Sequence, residues 1–182
     1  AEQIHRRVAE LKTRVTPSVP DGISAQLRPY QIEGFHFLAY LSANRFGGVL
    51  ADDMGLGKTL QTLTWLAWLR ENQHAARTAI PASSSDAAKV NADTAVRAPE
   101  LEARRVLPSL VVCPKSVMDN WRAEAERFCP GLRVVLWHGE DVRTLESARA
   151  EADLIVLNYA QMRSLSPAIA QHRWHVAILD EA

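Results

Sequence analysis

Cysteine is almost absent from this chain. Only Cys113 and Cys129 occur, with no C-x-x-C spacing, so they read as free, part-buried thiols of a reducing compartment. No apolar run approaches the roughly 18 residues a membrane helix needs. The N-terminus is polar (Glu2, Gln3, His5, Arg6, Arg7), so neither a membrane span nor a signal peptide is expected, and the cytoplasm is the expected compartment. Net charge is absent too: 21 Lys+Arg balance 21 Asp+Glu. That excludes a global pull toward nucleic acid or membrane, and leaves any nucleic-acid contact to local basic patches. Lysine is scarce, 4 against 17 arginines, and alanine is abundant. This bias fits a GC-rich bacterial genome and nothing about fold; nucleoid association would be compatible with it. Internal repeats are missing. What remains is ordinary for a soluble globular domain: 47% hydrophobic and 23% charged over 182 residues. That length can bury roughly 70% of its unfolded surface.

The most informative stretch is Gly47–Thr59, GGVLADDMGLGKT. A short apolar run (Val49, Leu50, Ala51) predicts a strand, and a helical pattern follows the glycine turn directly. Strand, glycine turn, Lys-Thr and helix form the phosphate-gripping loop of an NTPase. Gly55 and Gly57 let successive N–H groups point inward at an anion. The helix from Lys58 adds free N–H groups and its dipole. Lys58 supplies charge for the β/γ-phosphates, and the Thr59 hydroxyl can ligate Mg²⁺. The usual pattern opens with Gly where this chain has Asp52.

Around this loop the chain reads as alternating elements. Ile4, Val8, Leu11 and Val15 predict an amphipathic helix over 1–15, and Thr16–Gln26 a linker. Pro29 opens a helix over Ile32–Ala43 with Phe35, Leu38 and Leu41 on its apolar face. A helix from Lys58 to about Asn72 turns Leu60, Leu63, Leu66, Ala67 and Leu69 inward; Trp65 and Trp68 read as packing aromatics rather than base-stacking platforms. Gln73–Arg105, rich in Ala, Ser and Pro, predicts a disordered surface insertion, with a short helix near Asp86–Val96. Strands are expected at Ser109–Cys113, Arg133–Trp137, Leu154–Leu157 and Val176–Leu179. Helices are expected at Ser116–Phe128, with Ser116 as N-cap, and at Asp141–Ala150. Fully apolar strands alternating with helices mean an α/β fold with a parallel sheet.

The chain closes on Val176-Ala177-Ile178-Leu179-Asp180-Glu181-Ala182. A strand ending in Asp-Glu is the partner a phosphate loop needs. Asp180 can hold Mg²⁺, and Glu181 can orient and deprotonate the attacking water.

The segments Leu27-Arg28-Pro29-Tyr30-Gln31-Ile32-Glu33-Gly34 and Leu50-Ala51-Asp52-Asp53-Met54-Gly55-Leu56-Gly57-Lys58-Thr59 resemble those of the Swi/Snf family. So do Leu110–Ser116 with Asn120-Trp121, Trp137-His138-Gly139, Leu157-Asn158-Tyr159 and Leu179–Ala182, in that family's order. The chain is thus similar to the first RecA-like lobe of a superfamily-two helicase-type ATPase, from residue 27 to the end. The resemblance implies a P-loop NTPase three-layer sandwich, here an incomplete lobe, preceded by residues 1–26. In this family Asp stands where other NTPases have the first loop Gly, so Asp52 agrees with it; Asp53 replaces the usual Glu. It implies ATP and Mg²⁺ as cofactors. ATP would be held by Gln31 (reading adenine), Asp52, Met54, Gly55, Leu56, Gly57, Lys58 and Thr59. Mg²⁺ would sit on Thr59 and Asp180, with Lys58, Asp180 and Glu181 catalytic. It implies double-stranded DNA held by its backbone through Pro114, Lys115, Ser116, His138, Gly139, Asn158 and Tyr159. For Gln31 a solvated helix-start residue, and for His138 a loop histidine bonded to main chain, stay open.

The family's second lobe and its arginine fingers are missing from this chain. Such a finger contributes about 10³ to 10⁵ in rate, so the fragment alone is expected to bind ATP weakly and hydrolyse it negligibly. The parent is expected to be a translocase on double-stranded DNA, with RNA polymerase or repair proteins as conceivable partners and no membrane. A duplex-unwinding helicase and a nucleotide-gated DNA- or RNA-polymerase-binding clamp are the rival readings. A bacterial source would set chromatin remodelling aside.

Overall fold

The structure is a computed structural model that describes residues 14–53, 55–78, 106–139 and 142–181. The amphipathic helix expected over 1–15, apart from its last residues, lies outside the described residues. So do Met54, the Asp86–Val96 helix and Ala182. The chain divides into two compact units. One gathers the described residues up to Trp68 with Asp119–Leu132. The other takes the described residues of Leu69–Met118 and Arg133–Ala182.

The first unit is helical. Helix α1 (Pro29–Ala43) starts at a proline, whose fixed φ and missing N–H suit a first turn. Its buried stripe is Gln31, Phe35 and Ala39, one helical turn apart. Leu38 and Leu41, expected on that face, are only half-buried, so the stripe is rotated and includes a glutamine. Helix α2 (Lys58–Thr78) begins in this unit and is buried on all sides from Leu60 to Ala67. Trp65 is a packing residue as expected, its indole N–H donating to the Ser42 hydroxyl at 2.8 Å. Phe35 meets Trp68 edge-on at 6.4 Å. The expected linker is tied down: His36 bonds Pro17 O at 3.0 Å, and Ser24 N–H donates to Phe128 O at 2.8 Å.

Two expectations fail here. Val49-Leu50-Ala51 forms no strand, and Val49 is 80% exposed. β-propensity needs a partner ladder, and no strand lies among the described residues of this unit. Helix α2 also continues past Asn72 to Thr78, so the first residues of the supposed insertion are helical. Gln73 explains this: its side chain accepts from Leu107 N–H at 3.0 Å and donates to Leu107 O at 3.3 Å, clamping the helix end to the approach to β1.

The second unit is built on a four-stranded parallel sheet, order β2-β3-β1-β4. Its strands are β1 (Ser109–Cys113), β2 (Val134–Leu136), β3 (Leu154–Asn158) and β4 (Ala177–Leu179). β1 and β3 pair along their whole length, from Ser109 opposite Leu154 to Cys113 opposite Asn158. Both are buried on both faces, the state their unbroken apolar runs require. On one face Leu110, Val112, Ile155 and Leu157 pack with Leu145 of α4 (Val142–Glu151) and Ile169 of α6 (Ser166–Gln171). Burying each such side chain contributes about 1.5–3 kcal/mol. A 3₁₀ turn (Lys115–Val117) after β1 precedes α3 (Met118–Phe128), so Ser116 is not the N-cap; Pro114 holds that turn by accepting from Val117 N–H at 2.9 Å. Short α5 (Tyr159–Ser164) follows β3. Cys113 and Cys129 are free, as expected, but fully rather than partly buried.

At the amino ends of the strands, Asp153 forms an ion cluster. Its carboxylate accepts from Arg133 N–H at 3.0 Å, Arg133 Nε at 3.1 Å and Arg133 Nη2 at 2.8 Å, and pairs with Arg70 at 3.3 Å. Burial pushes its pKa up. The Arg133 hydrogen bonds and the charges of Arg70 and Arg133 outweigh that and hold it below the ordinary carboxylate range. A depressed folded-state pKa means the unfolded chain binds the proton more readily. The cluster therefore stabilises fully above the ordinary aspartate pKa of about 3.9, and the contribution fades as pH falls through the folded-state value. Asp153→Ala is expected to cost about 2–3 kcal/mol in urea unfolding at neutral pH. The gap to the parent chain should shrink at acid pH; a constant gap would contradict the assignment.

Candidate functional site

The candidate phosphate loop lies in the first unit. Gly55 and Gly57 both take positive φ, 82° and 75°, a conformation costly for any other residue. Two turns of this hand lead the loop into the start of the 21-residue helix α2, whose first N–H groups have no partner within the helix. The Lys58 ammonium folds back over the loop, donating to Asp52 O at 2.6 Å and Asp53 O at 3.0 Å. These neutral carbonyls are weak partners for a full charge, so an anion competes well for it.

Two glutamines brace the loop. Gln31 of α1 donates through Nε2 to Leu56 O at 3.2 Å, while its Oε1 accepts from Arg28 N–H at 2.9 Å. Gln31 is therefore a buried tie between α1 and the loop, not a solvated helix-start residue. Gln61 of α2, completely buried, donates through Nε2 to the Asp52 carboxylate at 3.0 Å. Its carbonyl lies over Gly34, where a Cβ would collide with Oε1. Gln61 was not anticipated. Its only trace in the sequence is a polar residue on the inward side of α2, next to Leu60 and Leu63.

In the second unit, four expected segments follow the carboxyl ends of four parallel strands, the edge where such sheets place ligands. Lys115 and Ser116 after β1 and His138 after β2 are exposed; Pro114 and Gly139 are half-buried. Asn158, which ends β3, and Tyr159, which follows it, turn their polar atoms inward. Asn158 caps α5 by accepting from Gln161 N–H at 3.0 Å, and Gln161 donates to Trp137 O at 3.0 Å. The Tyr159 hydroxyl donates to Asp180 O at 2.9 Å. Burial first, then the neighbouring Asp180, Cys113 and Glu181, raise the tyrosine pKa, which keeps it a neutral donor at physiological pH.

Asp180 is held at both ends of its residue, since its N–H also donates to Val112 O at 2.9 Å. Glu181 follows in a left-handed conformation, φ 53°, and is exposed. Cys113 at the end of β1 is no nucleophile: burial, then Asp180 and Glu181, push its thiol up to about 11. Each oxygen donor expected for Mg²⁺, the Thr59 hydroxyl in the first unit and the Asp180 carboxylate in the second, is by itself of the hard type that ion prefers.

A family model described as SNF2-related domain matches residues 30–182. The TATA-binding protein-associated factor mot1 of Aspergillus fumigatus is 35% identical over 178 residues, 97% of this chain and 8% of that protein. The ISWI chromatin-remodeling complex ATPase ISW2 of Saccharomyces cerevisiae is 30% identical over 164 residues, 87% of this chain and 12% of that protein. Among solved structures, the Sulfolobus solfataricus SWI2/SNF2 ATPase core in complex with dsDNA matches with TM-score 0.59 and 29% identity. It covers 94% of this chain and 28% of the solved one. The fold is thus the RecA-like α/β fold expected. The chain spans only a small part of the relatives it matches.

One expectation is overturned. Curated relatives include proteins of fungi, a plant and zebrafish, and several are named as chromatin-remodeling complex ATPases. They point to the nucleus rather than a bacterial cytoplasm, and chromatin remodelling is not set aside. The arginine and alanine bias carries no information on compartment.

The loop geometry generates a sharp expectation. Gly57→Ala forces a side chain into positive φ and brings its Cβ within 2.5 Å of the Gln31 amide. Strain of this kind costs on the order of 1–3 kcal/mol, so affinity for a fluorescent ATP analogue should fall about tenfold or more. Gly22→Ala, with open space around it, should leave the titration unchanged.

Proposed function

The chain belongs to the SNF2-related domain family, and from that premise we propose that it is the ATP-binding part of an ATP-dependent translocase on double-stranded DNA. One observation carries the reading: the doubly left-handed glycine loop, with the Lys58 ammonium resting on the Asp52 and Asp53 carbonyls at the start of α2. That is an anion cradle with its charge in reserve.

The roles follow from the chemistry of each group. Asp52, Met54, Gly55, Leu56, Gly57 and the N–H groups of Lys58 and Thr59 surround the phosphates, and Lys58 neutralises the β/γ oxygens. Gln31 holds the loop's shape and stands at the adenine side. Mg²⁺, held by the Thr59 hydroxyl and the Asp180 carboxylate, would offset charge developing on the transferred phosphoryl group. Glu181 orients the attacking water and takes its proton. Lys115, Ser116 and His138 are the exposed groups that meet the DNA backbone, with Pro114 and Gly139 shaping their loops. Asn158 and Tyr159 support this edge from inside. Contacts to phosphate carry no base readout, so binding is independent of sequence and sensitive to salt. The similar Sulfolobus solfataricus core was solved in complex with dsDNA, which supports the partner.

The test uses the full-length protein. DNA-stimulated ATP hydrolysis should fall about 10²- to 10⁴-fold in Glu181→Gln, with ATP-analogue binding retained. Lys58→Ala should lose the binding as well. Displacement of a triplex-forming strand would report translocation. Unwinding of a plain duplex would favour a helicase instead, and ATP-gated partner binding untouched by Glu181→Gln would favour a clamp.

A further inference from the structure

On the reading that Glu181 orients the attacking water, we infer that Tyr159 is a positioning residue for hydrolysis: its hydroxyl, bonded to the Asp180 carbonyl, holds the Asp180–Glu181 peptide in the orientation that aims the Glu181 carboxylate. A glutamate at φ 53° is in a sparsely populated region, which persists only where its surroundings over-determine it. Two hydrogen bonds fix the peptides on either side of Asp180, the residue before it. Asp180 N–H is fixed to Val112 O in the β1 ladder at 2.9 Å. Asp180 O is fixed by Tyr159 Oη at 2.9 Å. The first sets where β4 ends. The second sets the plane of the Asp180–Glu181 peptide, from which the Glu181 Cα and its side chain depart. Rotation of that peptide about the Asp180 Cα–C bond would break the tyrosine bond and re-aim the Glu181 side chain.

Tyr159 is itself rigidly placed. Its ring packs against the cluster of Leu110, Val112 and Leu157. Its backbone opens α5 under the reciprocal Asn158–Gln161 cap, and Gln161 is anchored to Trp137 O at 3.0 Å. The hydroxyl thus transmits the position of the β2 and β3 ends to the residue that follows β4. Tyr159 acts through the main chain of Asp180 and touches no reacting atom.

The experiment compares Tyr159→Phe with the parent full-length protein in DNA-stimulated hydrolysis and ATP-analogue binding. The expected result is a kcat lower by about tenfold, near the value of one hydrogen bond, with KM for ATP and analogue affinity within about twofold. Tyr159→4-aminophenylalanine, which restores a donor, should recover most of kcat. If Tyr159→Phe does not fold by circular dichroism, Tyr159→4-fluorophenylalanine fills the hydroxyl's volume without a proton to donate, and the same split between kcat and KM decides. An unchanged kcat beside an inactive Glu181→Gln overturns the positioning role alone. A loss not recovered by the amino group also overturns it. Hydrolysis surviving in Glu181→Gln overturns the underlying reading instead.

Discussion

The parallel ladder between β1 and β3 is the constraint on which the second unit depends. Its register, Cys113 opposite Asn158, brings two strand ends level. β4 joins β1 with Val112 opposite Leu179, and β2 joins β3 with Leu136 opposite Val156. Each candidate segment of this unit lies at or just after one of those ends. A slip of one residue in any pairing would turn every side chain of that strand to the other face. Burial on both faces of β1 and β3 makes such a slip expensive there, so the loops after those two strands inherit the precision of the sheet.

The phosphate loop is governed by a different device. It has no ladder of its own, and its approach is exposed at Val49. Its shape comes from side chains. Gln31 grips Leu56 near its end, Gln61 grips Asp52 at its beginning, and Lys58 crosses to the carbonyls between. Buried amides that bond to main chain or carboxylate are costly to misplace, so they define one loop conformation where regular structure does not. The two glycines supply the backbone freedom that conformation needs.

Membership in the SNF2-related family and the site residues answer separate questions. The family follows from a match that runs along most of the chain. The role of each residue rests on where its polar atoms go. By that standard Asn158 and Tyr159 belong to the support of the strand-end edge, whereas Lys115, Ser116 and His138 are presented to solvent.

Local pattern alone determined the α/β class, the parallel sheet, the order of its strands along the chain and the glycine loop with its lysine. These depend on apolar runs, glycine and charge, properties that neighbours in sequence carry. The packing of Trp65 and the free state of both cysteines were legible in the same way. Tertiary structure alone decided that Val49–Ala51 makes no strand and that α2 is prolonged by the Gln73–Leu107 clamp. It also decided that Gln61 holds Asp52 and that Tyr159 holds Asp180. In each of these, one side chain meets a backbone or carboxyl group that is distant along the chain. A polar residue's own type does not say which distant partner it will find, because that depends on the path of the folded backbone.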